Sequence, residues 1–218
     1  KLAAELRDQY NIMTYVIAMD LSQPSSANEL YRKVKSLGLK VNYLLNNAGF
    51  GDHGEFVKSD LSNQEEMINL NILTLTKLTY LYSVEMKKQK SGTILNVAST
   101  ASFFPGPLMA VYFATKHFVL AFSESIAEEL RPHNVYVCAL CPGSTQSEFG
   151  QRSGFGRIVP SDKNPFPLSS EVAAYGYSQM KKRKVVAIHG IWNTLQAILI
   201  RLVPRSLARK IAHAQMKN

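Results

Sequence analysis

The sequence predicts a single α/β domain, a doubly wound parallel sheet with helices on both faces. Three observations predict it. Strand-like and helix-like patterns alternate along the 218 residues, which implies βαβ units. Several strand-like runs, "VYVCALC" among them, are apolar throughout, as strands buried on both faces must be. Glycines, asparagines and serines follow those runs, on the edge where an open α/β sheet binds its ligands.

Taken in order, "KLAAELRDQY" reads as the end of a helix and "IMTYVIAMD" as a short apolar strand. "SSANELYRKVKSLG" is an amphipathic helix with Ser25 or Ser26 as cap and Gly38 as stop. "VNYLLNNAG" is a strand entering a turn, and "LSNQEEMINLNILTLTKLTYLYSVEMKKQ" a long amphipathic helix. The strand "GTILNVAS" leads to the helix "AVYFATKHFVLAFSESIAEELRP" and then to the strand "VYVCALCPG". After a loop, "SSEVAAYGYSQMKK" is a helix with a capping serine, and "KVVAIHG" is the last strand. The carboxyl ends of these strands carry Asp20, Asn46 to Gly49, Ser99, and Pro142 to Ser144.

Hydrophobic residues make up 46% of the chain and charged residues 19%, the balance of a packed globule rather than a disordered chain. Cys138 and Cys141 lie three apart in a strand-like run. They should point to opposite faces and remain two thiols in a reducing compartment, the cytoplasm. The five histidines show no ligand spacing, so no metal is expected. The net charge of +9 belongs to the end of the chain: residues 172–218 hold nine Lys and Arg and no acid. No nucleic-acid motif accompanies that charge, and no nucleic-acid partner is expected.

Tyr112 and Lys116 in "YFATK" stand one helical turn apart on one face. Alone, the pair reads as a surface pair at a helix start. It does not stand alone. "NNAG" follows one strand, Asn71 sits in "NLNI", Ser99 ends another strand, and Ser99 precedes Tyr112 by thirteen residues. In this order the chain closely resembles the short-chain dehydrogenase/reductase family, from about residue 12 to 149, including "PGSTQSEF". The resemblance implies a Rossmann-type fold and an oxidoreductase that moves a hydride between a nicotinamide dinucleotide and a carbonyl/alcohol substrate.

The resemblance implies four catalytic residues. Tyr112 is the general acid/base, and Lys116 lowers its pKa and holds the nicotinamide ribose. Ser99 holds the substrate oxygen. Asn71 orients a water in a proton relay, with a satisfied core amide as the plain alternative. For the cofactor it implies Asp20 and Leu21 near the adenine, and Asn47, Ala48 and Gly49 along the dinucleotide. Tyr112, Lys116, Pro142, Gly143 and Ser147 lie at its nicotinamide end, Ser147 standing where the family has threonine. A stabilising turn is the plain reading of "NNAG". NADP is favoured over NAD by analogy of "NNAGFG" and the "YFATKHFVLAFSE" helix. His117 is expected to pack at the helix surface or at a subunit contact. Members pair through two long helices, so a homodimer or homotetramer is expected. Bacterial reductases are the nearer context, and animal steroid or ketoacyl reductases the second.

The family begins with a strand and a glycine-rich turn that receives the pyrophosphate, and these 218 residues hold no such turn. A trimmed N-terminus is expected, its two strands leaving hydrogen-bonding neighbours and an apolar face uncovered. A catalytically silent binding or scaffold protein is the alternative function.

Residues 148–175 include the expected substrate lid, with an ordinary long loop as its plain alternative. Residues 191–218 form a basic amphipathic extension. There Leu195, Ile198, Leu199 and Leu202 make a helical stripe, Arg201, Arg205 and Arg209 step along another side, and Pro204 should divide the segment. The stripe is expected to pack over the substrate entrance. Peripheral attachment to an anionic membrane is a further reading, and "LQAILIRLV" is too short to span one.

Overall fold

A computed structural model describes residues 2–154 and 165–216. Four strands form one parallel sheet in the order β1-β2-β3-β4. They are β1 (Tyr43–Asn46), β2 (Gly92–Val97), β3 (Val135–Cys141) and β4 (Val186–Ile188). The helices before the sheet are α1 (Leu2–Tyr10) and α2 (Ser26–Ser36). Between the strands run α3 (Leu61–Ile68), α4 (Leu75–Gln89), α5 (Ala110–Leu130), α6 (Phe149–Arg152) and α7 (Ser169–Lys181). The chain closes with α8 (Ile191–Leu199) and α9 (Arg205–Met216).

Helices cover both sheet faces, as the apolar strands require. Ile94, Val135 and Val137 pack against Leu78, Tyr82 and Met86 of α4 and Ala127 of α5. Leu95, Cys138 and Leu140 face the other way, onto Val172 and Met180 of α7. Cys141 belongs to the α5 side with Val119 and Leu120. The two thiols are therefore on opposite faces, and both are free.

Four expectations are corrected. Residues 11–20 are not a strand: they form no ladder, and Ile12, Met13, Tyr15 and Val16 are exposed. An apolar run becomes a strand only where a neighbour accepts its hydrogen bonds, and β1 pairs with β2 alone. On β1 itself, Tyr43 and Leu45 stay open to solvent, as an uncovered apolar face would leave them. Second, α7 starts from Leu168, not from a serine. Glu171 reaches back to accept from the Leu168 backbone N–H at 3.0 Å, which satisfies the helix end without a hydroxyl. Third, the long helix of residues 61–89 is interrupted by a π-helical turn at Asn69–Thr74. Fourth, the apolar stripe of residues 191–202 faces outward. Leu195, Ile198, Leu199 and Leu202 are exposed, because Asn193 and Ala197 make α8's contact with the fold.

Gly38 does stop α2, with φ +69°, and Pro204 does separate α8 from α9. Of the predicted lid, residues 155–164 lie outside the described residues. Its base is held where Gln146 bridges Leu168 and the Gln146 N–H meets the Pro167 carbonyl at 2.9 Å.

Candidate active site

The carboxyl ends of β2 and β3, the start of α5 and the π turn before α4 converge on Tyr112. Ser99 follows β2 in extended backbone and caps the short turn after it, its hydroxyl accepting from the Ala101 N–H at 3.1 Å. The same hydroxyl donates to the Pro142 carbonyl at a long 3.5 Å, and it favours the ionised form of the Tyr112 phenol. Leu108, at φ +67°, turns the chain into α5 in a conformation that a bulky side chain rarely adopts. Its carbonyl takes the Gly54 N–H at 2.8 Å, which holds the strained entry in place.

Lys116 is buried one turn beyond Tyr112. Its ammonium donates to the Val97 carbonyl at 2.8 Å and lies 5.8 Å from the centroid of the Tyr112 ring. Burial pulls its pKa down to about 8, by penalising the charged form. Burial pushes Tyr112 up to about 12, and the Ser99 hydroxyl opposes this only in part. The ammonium lies over the ring, and desolvation sets the direction of the Tyr112 shift.

Asn71 sits on the π turn, 1% exposed. Its amide N–H donates to the Phe50 carbonyl at 2.9 Å and to the Thr115 hydroxyl at 3.1 Å, and its oxygen accepts from the Phe50 N–H at 3.2 Å. Both amide hydrogens are used, so any relay would run through the second lone pair of the oxygen. Thr115 closes the set by donating to the Tyr112 carbonyl at 2.7 Å.

Gly49 lies between these groups. A Cβ there would stand 2.9 Å from the Asn71 oxygen and 3.5 Å from the Lys116 nitrogen. The glycine is required by the protein's own side chains, whatever ligand approaches. Asn47 and Ala48 are exposed on the sheet edge beside it. Asp20 turns inward on its own loop, its carboxylate accepting from the Ser22 N–H and hydroxyl at 2.9 and 2.8 Å and from the Gln23 amide at 3.0 Å. Those bonds hold its pKa below the ordinary value, Gln23 contributing most. The Leu21 carbonyl accepts from the Thr74 hydroxyl at 2.8 Å, which ties that loop to the π turn. Gly143 receives Asn193 of α8, whose nitrogen would lie 2.5 Å from a Cβ. Ser147 is exposed, and its hydroxyl accepts weakly from the Phe149 N–H at 3.4 Å.

The residues at hand therefore fit the nicotinamide end of a dinucleotide. They offer an edge without side chains at Gly49, exposed backbone at Asn47 and Ala48, and a buried amine beside them.

Sequence reasoning missed two features. One is an apolar wall: Met109 and Phe113 cluster with Tyr112, and Phe50, Phe149 and Met216 pack against that cluster, with the Phe149 ring 5.1 Å from the Tyr112 ring. Gly51 makes room for it, since a Cβ there would meet Phe149 at 2.9 Å and the Tyr112 ring at 3.2 Å. The other is a buried polar chain. The Asn46 amide donates to the Asn96 oxygen at 2.8 Å and to the Thr79 hydroxyl at 3.0 Å, and the Asn96 amide donates to Ser123 at 2.9 Å. Two asparagines inside otherwise apolar strand runs were the signal for this chain.

The family model for short chain dehydrogenases matches residues 1–155. The chain belongs to the short-chain dehydrogenase family. A very-long-chain 3-oxoacyl-CoA reductase of Macaca fascicularis is 34% identical over 148 residues, 65% of this chain and 46% of that protein. The chain thus spans about half the length of the curated relatives it matches. Relatives with the same name occur in animals and in fungi such as Phaeosphaeria nodorum. Among solved structures, a short-chain dehydrogenase from Sphingobium yanoikuyae in complex with NADPH is 28% identical, with a TM-score of 0.79 over 92% of this chain and 79% of that one. A 7beta-hydroxysteroid dehydrogenase superposes with a TM-score of 0.85 at 23% identity, covering 97% and 81% of the two chains, a likeness of fold.

Proposed function

We propose that this short-chain dehydrogenase is an oxidoreductase acting on the carbonyl or alcohol group of an apolar, acyl-chain substrate. The observation that carries the reading is the gathering of Ser99, Tyr112 and a buried Lys116 at the carboxyl ends of the central strands. When bound, a nicotinamide dinucleotide supplies or takes the hydride. NADP is the favoured form and NAD the alternative, supported by the NADPH complex of the Sphingobium yanoikuyae relative.

With its pKa pushed up to about 12, Tyr112 carries its proton at neutral pH. It is set to give that proton to a carbonyl oxygen that gains charge, so the reading favours reduction. Ser99 holds that oxygen. Lys116, charged below about 8, stabilises the phenolate left behind and reaches toward the nicotinamide ribose. Asn71 fixes the Phe50 loop against α5 and offers one lone pair to a relay water. The wall of Phe50, Met109, Phe149 and Met216 suits a hydrocarbon chain. That wall, with the 3-oxoacyl-CoA reductase relatives, points to a 3-oxoacyl thioester. Two or four copies would pair through α4 and α5, where Tyr80, Val84 and Phe118 are exposed.

The test is calorimetric titration with NADPH and NADH, followed by NADPH oxidation on a long-chain 3-oxoacyl-CoA. Tight NADPH binding and turnover are expected. A well-folded protein that binds neither nucleotide would turn the reading to a silent binding protein.

A further inference from the structure

We infer that the outward face of α8 and α9 docks on the surface of an anionic lipid bilayer. The helices are mounted with their small faces inward. In α8, Ala197 is 3% exposed, and the Asn193 amide sits against Gly143 and donates to the His189 carbonyl at 2.7 Å. The large side chains point away: Ile191 is 82% exposed, Trp192 73% and Leu202 80%. The same inversion holds in α9, where Ala208 and Ala212 are buried while Leu207 and Ile211 are exposed. Amphipathic helices that serve only their own fold bury the large apolar face. Here alanines meet the fold and the large apolar face meets solvent.

The charge pattern names the occupant. Arg201, Arg205, Arg209 and Lys210 belong to the same segment, all exposed and making no ion pair among the described residues. No acidic residue follows Glu171 in the chain. Arg209, Lys210, Ser206 and His213 also line, with Pro107, a shallow cleft of about 340 Å³ beside α9. Apolar residues flanked by cations match acyl chains below an anionic headgroup layer. A second copy seated symmetrically on this face would set the same cations against one another with no acid to answer them. Spanning is excluded for these elements, since α8 has 9 residues and α9 has 12. Trp192 fits the headgroup level that aromatic residues favour.

The docked face is joined to the candidate site. Met216, at the end of α9, packs on the cluster that holds Tyr112, and its carbonyl lies 3.2 Å from the His53 ring nitrogen. Docking would set the mouth of the apolar wall at the bilayer surface. That last consequence rests on the acyl-chain reading, whereas the docking does not.

Trp192 is the only tryptophan, so its emission reports this face directly. The protein is mixed with vesicles of phosphatidylcholine alone or of phosphatidylcholine with phosphatidylserine, and both co-sedimentation and Trp192 emission are read. Expected are partition onto the anionic vesicles, a blue shift of the emission, and release by high salt. The double variant Arg205→Glu, Arg209→Glu should lose roughly tenfold or more of the partition, since each cation near the surface contributes about one unit of kcal/mol. Ile198→Ser with Leu202→Ser should abolish the blue shift with the melting temperature kept. Absent partition at low salt, equal binding to neutral vesicles, or a blue shift that follows protein concentration without lipid would each overturn the proposal. NADPH oxidation with a short, water-soluble ketone, run on the same preparations, separates failure of docking from failure of the catalytic reading.

Discussion

The Lys116 ammonium lies 5.8 Å from the centroid of the Tyr112 ring while it donates to the Val97 carbonyl at 2.8 Å. The backbone at the end of β2 holds the lysine, and the phenol answers to Ser99 instead. Two buried titratable groups are thus set side by side with their pKa values moved toward and past one another's ordinary ranges.

Removing the phenol oxygen tests the proton-transfer role. Tyr112→Phe should lower turnover by roughly 100-fold or more while the ring keeps its contacts with Phe113 and Phe149. Steady-state NADPH oxidation and a thermal melt check this together. Unchanged turnover in the folded variant would remove Tyr112 from the chemistry.

The pH dependence follows from the two shifts. Lys116 loses its charge as pH rises through about 8, whereas Tyr112 stays protonated until about 12. Carbonyl reduction should therefore hold steady near neutrality and fall above about 8. Lys116→Met should lower the plateau and erase the inflection. In stability the sign is opposite. The folded Lys116 titrates at about 8 against an ordinary 10.5, so the unfolded chain binds more protons between those values. The Lys116 share of stability should accordingly rise with pH across that window, against the opposite slope of Cys138 and Cys141, which burial raises to about 11 and 12, so the difference between parent and Lys116→Met carries the test. Denaturant melts from pH 7 to 10 give the slope.

Gly49→Ala should destabilise the fold by about 1–3 kcal/mol through overpacking. Its Cβ would stand 2.9 Å from an Asn71 oxygen that Phe50 and Thr115 already fix through the same amide group. Urea denaturation measures the loss, and nucleotide titration should show weaker binding as the Asn71 amide is displaced. A variant as stable as the parent would mean that the π turn yields freely.

The polar chain under the sheet should matter for stability alone. Asn96→Ala leaves the Asn46 amide and Ser123 short of a partner in a site that is 0% exposed. A loss of about 2–4 kcal/mol is expected from unpaired polar groups and a cavity. Urea midpoints measure it, and turnover per folded molecule should be unchanged.

By itself the sequence determined the order of elements, the parallel sheet and the residues that meet at Tyr112. Apolar periodicity and strand-end punctuation are local signals, and Ser99 and Tyr112 occupy a strand end and a helix start that those signals mark, whereas the π turn of Asn71 was not marked. Tertiary structure decided the rest. The apolar run of residues 12–20 makes no strand, because a ladder needs a partner that no local pattern supplies. The Tyr112 pKa rises although a lysine lies one turn away, because burial depends on what packs from distant segments such as Phe149 and Met216. The apolar stripe of α8 faces outward, because the seat for that helix was shaped by Gly143 to receive Asn193. Periodicity can say that a helix has two faces, and only the surface it meets decides which one is covered.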